Sequence, residues 1–288
     1  MDKNFSALYK DYLDKKIERR SFVRKVSLIL GGAIAAPAFL SKFEANYLQA
    51  SAPGVPGEEL FTADIVYPAE TGEMKAFLAR PLTEKKYPAV IVIHENRGLQ
   101  PHIRDVTRRM AREGFLTIAP DALSPLGGTP ADNEDAARGK FAELDMDKTI
   151  KNFSAAVKYL KTHPLSTGKV GCTGFCWGGA MTNNVAVNSP ELDAAVPYYG
   201  SQPAKDDIKK IKASIMAHYA SDDERINKGI PEFEAALKEA GIDYRIYVYE
   251  GTQHAFNNDT NLGRYNEAAA QLAWKRTTDF FKEKLKSK

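Results

Sequence analysis

The sequence has little cysteine: only Cys172 and Cys176 occur among its 288 residues. They lie four positions apart around the end of a predicted strand, so a disulfide between them is sterically unfavourable. A thiol redox pair of the Cys-x-x-Cys type is also excluded, because the spacing differs. Both residues are therefore predicted to be free thiols, and a functional role for one of them has to be weighed.

The sequence also lacks an excess of charge of one sign, with a formal net charge of +3. Its basic residues alternate with acidic ones and do not gather with aromatic residues, so a nucleic-acid partner is not predicted. Low-complexity tracts and internal repeats are absent, which argues against a disordered chain and against a solenoid. A single folded domain fits this length and composition.

A long hydrophobic run is missing as well. The apolar stretch Val26–Leu40 is shorter than the roughly 20 residues that span a bilayer core, so no stable membrane span is predicted. The preceding pair Arg19-Arg20 resembles a twin-arginine export signal, which predicts a periplasmic protein. A helix docked on a cytoplasmic domain is the alternative. Residues 1–58, ending in a turn-rich linker, are thus separated from a domain at 59–288.

What is present is an alternation of strand and helix patterns. Two early strands, Phe61–Tyr67 and Lys75–Pro81, are predicted to form a hairpin. Later apolar runs read as buried parallel strands: Ala89–Ile93, Gly114–Ala119, Lys169–Thr173, Ala194–Tyr199, Ala213–Tyr219 and Tyr244–Tyr249. Helical patterns lie at 101–113, 134–162, 177–188, 229–240 and 264–286. This order predicts an α/β fold with a mostly parallel central sheet, helices on both faces and chemistry at the carboxyl ends of the strands.

The segment from Gly174 to Gly178 connects a predicted strand directly to a helix and places Cys176 at its centre. It fits the pattern Gly-x-nucleophile-x-Gly, in which the central residue sits on a sharp, strained turn. The start of the helix favours a negative sulfur at this position. The alternative is that Cys176 is an ordinary buried thiol. Cys172, on the strand itself, is predicted to belong to the core.

An acid and a base follow the next strands in the order that this type of turn demands. Asp222 and Asp223 follow the strand at 213–219, and His254 follows the strand at 244–249. We prefer Asp223 as the acid because the chain turns into the next helix just after it, but Asp222 remains an alternative. Cys176, Asp223 and His254 are therefore the predicted catalytic residues.

Residues 94–98, His-Glu-Asn-Arg-Gly, follow the strand that normally supplies a second oxyanion donor. The backbone amides of Asn96 and Trp177 are the predicted oxyanion pair. A zinc motif His-Glu-x-x-His is excluded because Gly98 stands where the second histidine belongs. The Gly-Lys-Ser/Thr ending of a phosphate-binding loop is also lacking, and neither a metal nor a cofactor is predicted.

Glu95 has two interpretations, because a buried carboxylate is costly unless it is paired. It either pairs structurally with Arg97 or another donor, or it contacts the thiol and tunes the protonation of the sulfur. The sequence leaves both interpretations open. Tyr199, next to Tyr198 at a predicted strand end, either lines an apolar acyl pocket or belongs to the core.

These motifs together resemble the dienelactone hydrolase family over about residues 60–284. The resemblance is specific because the nucleophile is cysteine, where most related hydrolases have serine. The matching stretches are His-Glu-Asn-Arg-Gly-Leu, Gly-Phe-Cys-Trp-Gly-Gly, Ser-Asp-Asp-Glu-Arg-Ile and Gly-Thr-Gln-His-Ala-Phe. The likeness implies an α/β-hydrolase fold and a Cys176–Asp223–His254 triad. It also implies that Glu95 draws the proton from the thiol when substrate enters and keeps the resting thiol less prone to oxidation.

The sequence departs from the family where a substrate carboxylate is bound. Family members that act on dienelactone hold its carboxylate with arginines, one just beyond the histidine and one after the fourth strand. Here the matching stretches at 256–259 and 121–128 contain no arginine. Arg97 and Arg225 are the candidate replacements. We expect a hydrolase of small carboxylic esters or lactones that forms an acyl-enzyme, and a non-catalytic ligand-binding protein is the alternative.

Overall fold

The computed structural model describes Ser21 and residues 60–286, with gaps at 84 and 131–132. Apart from Ser21, the predicted export signal and linker at 1–58 lie outside the described residues, so the twin-arginine assignment stays a prediction. Within the described part of the chain, no helix has the length and apolar character needed to cross a membrane.

The described residues form eight strands and eight α-helices. The strands are β1 (Leu60–Ala69), β2 (Gly72–Pro81), β3 (Tyr87–Ile93), β4 (Leu116–Pro120), β5 (Ser166–Phe175), β6 (Ala194–Tyr198), β7 (Ser214–Asp222) and β8 (Tyr244–Gln253). The helices are α1 (Pro101–Arg112), α2 (Glu134–Lys140), α3 (Met146–Thr162), α4 (Trp177–Asn188), α5 (Lys205–Ile208), α6 (Glu224–Asn227), α7 (Ile230–Glu239) and α8 (Glu267–Lys284).

All eight strands form one sheet in the order β1-β2-β4-β3-β5-β6-β7-β8. β1 and β2 form the predicted antiparallel hairpin, and β2 pairs antiparallel with β4. The remaining pairs, from β4 to β8, are parallel, so the carboxyl ends of these strands meet at one edge of the sheet. The predicted α/β-hydrolase fold with a mostly parallel sheet is confirmed.

Two hydrophobic cores, one on each face, hold the helices against the sheet. Strand β3 is buried on both sides: Ile91 belongs to one core, and Val90 and Val92 belong to the other. Such a strand reads as a continuous apolar run because both of its faces are covered. The helices contribute Phe153 of α3, Met181 of α4 and Phe233 of α7 to the first core, and Ile103 of α1 and Phe281 of α8 to the second.

The long helix predicted at 134–162 is wrong in one respect, because the chain breaks it into α2, a short 3-10 turn and α3. Leu144 is extended, with φ −72° and ψ 128°. Asp145 then caps α3, since its carboxylate accepts a hydrogen bond of 3.1 Å from the Lys148 amide. Aspartate is a preferred residue at such a cap and a poor one inside a helix.

Helix α4 begins unusually close to the neighbouring strands. A side chain at Gly178 would place its Cβ 2.4 Å from the carbonyl oxygens of Ile93 and His94, and one at Gly179 would lie 2.3 Å from that of Tyr198. These obstacles are backbone atoms, which cannot rotate away as a side chain does. The two glycines therefore allow the helix to start between the ends of β3 and β6.

We predict that Gly178→Ala lowers the free energy of unfolding by at least about 2 kcal/mol, because overpacking of this kind costs roughly 1–3 kcal/mol even against side chains. Gly139→Ala in α2 is the matched control, since an added Cβ there meets nothing within 4 Å. The control should be neutral or slightly stabilising. Urea unfolding of both variants measures the difference, and equal stability of the two would contradict the packing argument.

Candidate active site

Cys176 occupies the single residue between the end of β5 and the start of α4. Its backbone is strained, with φ 57° and ψ −114°, and its N–H donates a 3.1 Å hydrogen bond to the Tyr198 carbonyl of β6. The side chain is half-buried. The turn therefore raises the thiol above the carboxyl edge of the sheet, in the manner that the Gly-x-nucleophile-x-Gly pattern predicts.

His254 and Asp223 meet at the ends of the two strands that follow along the sheet. The His254 Nδ1 lies 2.5 Å from the Asp223 Oδ2, and the aspartate side chain is only 8% exposed. With Nδ1–H donating to the carboxylate, Nε2 is left free to accept a proton. Asp222 is exposed instead, and its carboxylate accepts a hydrogen bond from Ser221. The structure thus brings Asp223, rather than Asp222, to the histidine.

Backbone strain is concentrated at this edge of the sheet. Among the described residues, three that are not glycine have positive φ angles: Cys176 at 57°, Tyr199 at 37° and Ala255 at 70°. Each directly follows a strand or lies next to His254, and the Tyr199 ring is centred 5.0 Å from the imidazole. Strained residues of this kind persist where the surrounding structure fixes them, and they are typical of functional sites.

Glu95 acts on the thiol through its charge and is held by an amide. The Asn258 Nδ2 donates a 3.0 Å hydrogen bond to the Glu95 Oε2. Burial is the main cause that raises the pKa of Glu95, whereas the Asn258 hydrogen bond and the positive charge of Arg97 act in the opposite direction. Both interpretations of Glu95 have support: the carboxylate pairs with Asn258 rather than with Arg97, which forms its ion pair with Glu134, and its charge also acts on the thiol.

Several groups act on the pKa of Cys176. Burial raises it most, and the negative charge of Glu95 raises it further. A hydrogen bond from the Trp177 amide and the positive charge of Arg225 lower it in part. The net shift is upward, so burial and Glu95 together favour the protonated thiol and outweigh the start of the helix, which was expected to favour a negative sulfur. Cys172 is fully buried, and burial raises its pKa to about 12, as expected of a core residue.

The two proposed oxyanion donors lie on adjoining segments. The Trp177 amide, at the start of α4, hydrogen-bonds to the Cys176 sulfur, and the Asn96 amide lies on the loop that follows β3. His94 links these segments, because its ring stacks on the Trp177 indole at 5.7 Å and its Nδ1 donates to the Glu95 carbonyl at 2.7 Å. Its Nε2 accepts from the Ala122 amide at 3.0 Å, which fixes the ring.

The remaining predicted residues surround this centre. Tyr199 is 1% exposed, and its hydroxyl is buried. Burial raises the pKa of that hydroxyl most, and the charges of Glu95 and Cys176 raise it further. Arg225 is exposed at the start of α6. Arg97 is engaged by Glu134, which leaves Arg225 the freer of the two candidate arginines.

Sequence reasoning missed Asn258 and Arg264 as parts of the site. Asn258 contacts Glu95 directly, and the positive charge of Arg264 lowers the pKa of Glu95. The available signal was that Asn258 stands in the stretch beyond His254 where the family has arginine. Nothing local in the sequence indicated its partner, which is 163 positions away.

Comparison with known proteins gives concordant results. The sequence model of the dienelactone hydrolase family matches residues 74–285. The protein Usf of Aquifex pyrophilus is 40% identical over 69% of this chain and 89% of its own length. A Saccharolobus solfataricus protein with the provisional name carboxymethylenebutenolidase is 31% identical over 76% of this chain and 97% of its own. The crystal structure of a Klebsiella pneumoniae protein provisionally named dienelactone hydrolase has a TM-score of 0.69 and 27% identity, covering 78% of this chain and 100% of that one.

We predict that Glu95→Gln accelerates the alkylation of Cys176 by iodoacetamide at pH 8. Removal of a neighbouring negative charge lowers the pKa of the thiol. Below that pKa, each unit by which it falls raises the thiolate fraction about tenfold, so we expect the alkylation rate to rise roughly threefold to tenfold. Mass spectrometry after timed quenching gives the rate. Glu113→Gln, which removes a carboxylate paired with Lys282, serves as control and should leave the rate unchanged. Slower alkylation in Glu95→Gln would contradict this electrostatic account.

Proposed function

The chain belongs to the dienelactone hydrolase family and is a hydrolase, and we propose that it cleaves carboxylic esters or lactones through a thioester formed on Cys176. The resemblance found in the sequence is thereby confirmed at the level of the family. The observation that carries the finer proposal is the 2.5 Å contact between His254 Nδ1 and Asp223 Oδ2 at the same edge of the sheet as the strained Cys176.

In the first half of the proposed reaction, substrate enters and the thiol proton passes to the Glu95 carboxylate. The sulfur attacks the carbonyl carbon, and the negative charge moves to the carbonyl oxygen, which the Asn96 and Trp177 amides stabilise. The tetrahedral adduct then collapses. The carbon–oxygen bond to the leaving group breaks, the proton returns to the leaving oxygen, and an acyl thioester remains on Cys176.

In the second half, His254 Nε2 takes a proton from a water molecule that attacks the thioester. Asp223 supports the positive imidazolium and keeps the proton on Nδ1. The second tetrahedral adduct collapses, the sulfur leaves and recovers the proton from the imidazolium, and the carboxylic acid departs. The atoms of one water molecule are thereby added across the ester bond.

The proposed substrate class is set by what surrounds the sulfur. Tyr199 belongs to the buried core beside His254, and an apolar acyl group is proposed to lie against that side of the site. The segments at 121–128 and 256–259 lack the family's carboxylate-binding arginines, so the proposal does not extend to dienelactone itself. Arg225 is the proposed contact for an acidic group on a substrate, because Arg97 is paired with Glu134.

We predict that Cys176→Ala abolishes hydrolysis of short aryl esters, whereas Cys172→Ala retains it. Both substitutions remove a thiol, one from strand β5 and one from the turn that follows it, but only Cys176→Ala removes the proposed nucleophile. Mass spectrometry of rapidly quenched wild-type protein should detect an acyl adduct on residue 176. Activity that survives in Cys176→Ala would refute the nucleophile, and inactivity of the wild type on a broad ester and lactone panel would favour the ligand-binding alternative.

We predict that Asp223→Asn lowers kcat by at least about 100-fold, because the amide can no longer hold the imidazole tautomer and stabilise its positive charge. Asp222→Asn changes the adjacent carboxylate in the same way and should lower kcat by less than about twofold. The steady-state kinetics of the two variants on one ester decide between these residues. A loss confined to Asp222→Asn would assign the acid to that residue.

A further inference from the structure

The orientation of the Asn258 amide is fixed by its own loop. Its Oδ1 accepts hydrogen bonds from the Thr260 amide at 3.0 Å and from the Thr260 hydroxyl at 2.6 Å. An amide oxygen that is occupied by two donors leaves the NH₂ group to face the other way. On that side the Nδ2 meets the Glu95 Oε2 at 3.0 Å, and the whole side chain is only 7% exposed.

The loop is itself tied to α1. The Asp259 carboxylate lies 2.5 Å from the Arg109 guanidinium and 3.1 Å from the Nδ1 of His102. A backbone hydrogen bond from the Asn258 amide to the Ala255 carbonyl, at 3.1 Å, closes the turn directly after His254. Asn258 is therefore presented to Glu95 by a segment that is anchored on both sides.

No arginine or lysine in the described part of the chain forms an ion pair with Glu95. On its own loop, Arg97 is paired with Glu134 of α2. Arg264, from the segment before α8, acts on Glu95 through its charge without a hydrogen bond. Cys176 and Tyr199 face Glu95 from the ends of β5 and β6. The directional contact to this carboxylate is thus a neutral amide.

We propose that Asn258 is a positioning residue for the hydrolytic reaction: its amide keeps the Glu95 carboxylate ionised and aimed at the Cys176 thiol, from which Glu95 takes the proton. The inference rests on the proposed function. A neutral donor suits this task, since it supports the charge of a buried carboxylate while leaving it more basic than a guanidinium would. Loss of the amide therefore moves the titration of Glu95 to higher pH.

The test is the pH profile of kcat/KM on a short aryl ester. Asn258→Asp keeps the size of the side chain and the acceptor for Thr260 but replaces the donor with a negative charge. Asn258→Leu removes both polar atoms. In each variant the acidic limb of the profile should move to higher pH by about one unit, because the pKa of Glu95 rises and a larger fraction of Glu95 is protonated at any given pH.

Asn261→Asp is the matched control, since it makes the same charge change on the same segment and its side chain has no hydrogen bond to Glu95. Its acidic limb should stay within about 0.2 units of the wild type, a margin small against the one-unit shift expected for the loss of a direct contact. A uniform loss of kcat/KM in the Asn258 variants with an unmoved limb, or an equal shift in Asn261→Asp, would overturn the inference. Activity that persists in Cys176→Ala would instead refute the proposed function. That result is obtained independently of the pH profiles, so the two failures can be told apart.

Discussion

The constraint on which the site depends is the backbone of Cys176, a non-glycine residue held at φ 57° between a strand and a helix. Such a conformation costs about 1–3 kcal/mol and persists only where its surroundings determine it. Here the surroundings are parallel strands on both sides. The Tyr198 carbonyl of β6 accepts a hydrogen bond from the Cys176 amide, and the start of α4 packs against the carbonyls at the end of β3. Contacts with the sheet therefore offset the conformational cost of the turn. Gly178 and Gly179 allow the start of α4 to approach the strand ends without a steric clash.

The same edge of the sheet then fixes the other groups. Because β5, β6, β7 and β8 run parallel and adjacent, the residues that follow them emerge side by side. Asp223 and His254 come from neighbouring strand ends and meet at hydrogen-bonding distance. The positive φ values of Tyr199 and Ala255 show that strain recurs at these ends. The candidate catalytic groups are thus placed side by side by short loops at one edge of the sheet.

The sequence allowed the fold and the strand ends to be predicted because their signals are local. Runs such as Ala89–Ile93 are buried on both faces, and the turn at Cys176 carries its glycines within a few positions. The contacts of Glu95 were not predictable in this way. Its partner Asn258 is 163 positions away. The ion pair of Arg97 with Glu134 joins a loop to α2, which the apolar pattern did not separate from α3. Pairing between distant side chains leaves no periodic trace in a single sequence.

Glu95 and Cys176 lie close enough that the charge of one resists the ionisation of the other. A proton lost from the thiol is therefore proposed to pass to the carboxylate rather than to solvent. Once Glu95 has taken the proton it is neutral and no longer opposes a negative sulfur, and attack then moves the charge to the carbonyl oxygen, where the amides of Asn96 and Trp177 are proposed to stabilise it. In this proposal a raised thiol pKa and attack by the thiolate are compatible, because proton transfer to Glu95 removes the repulsion before the sulfur attacks.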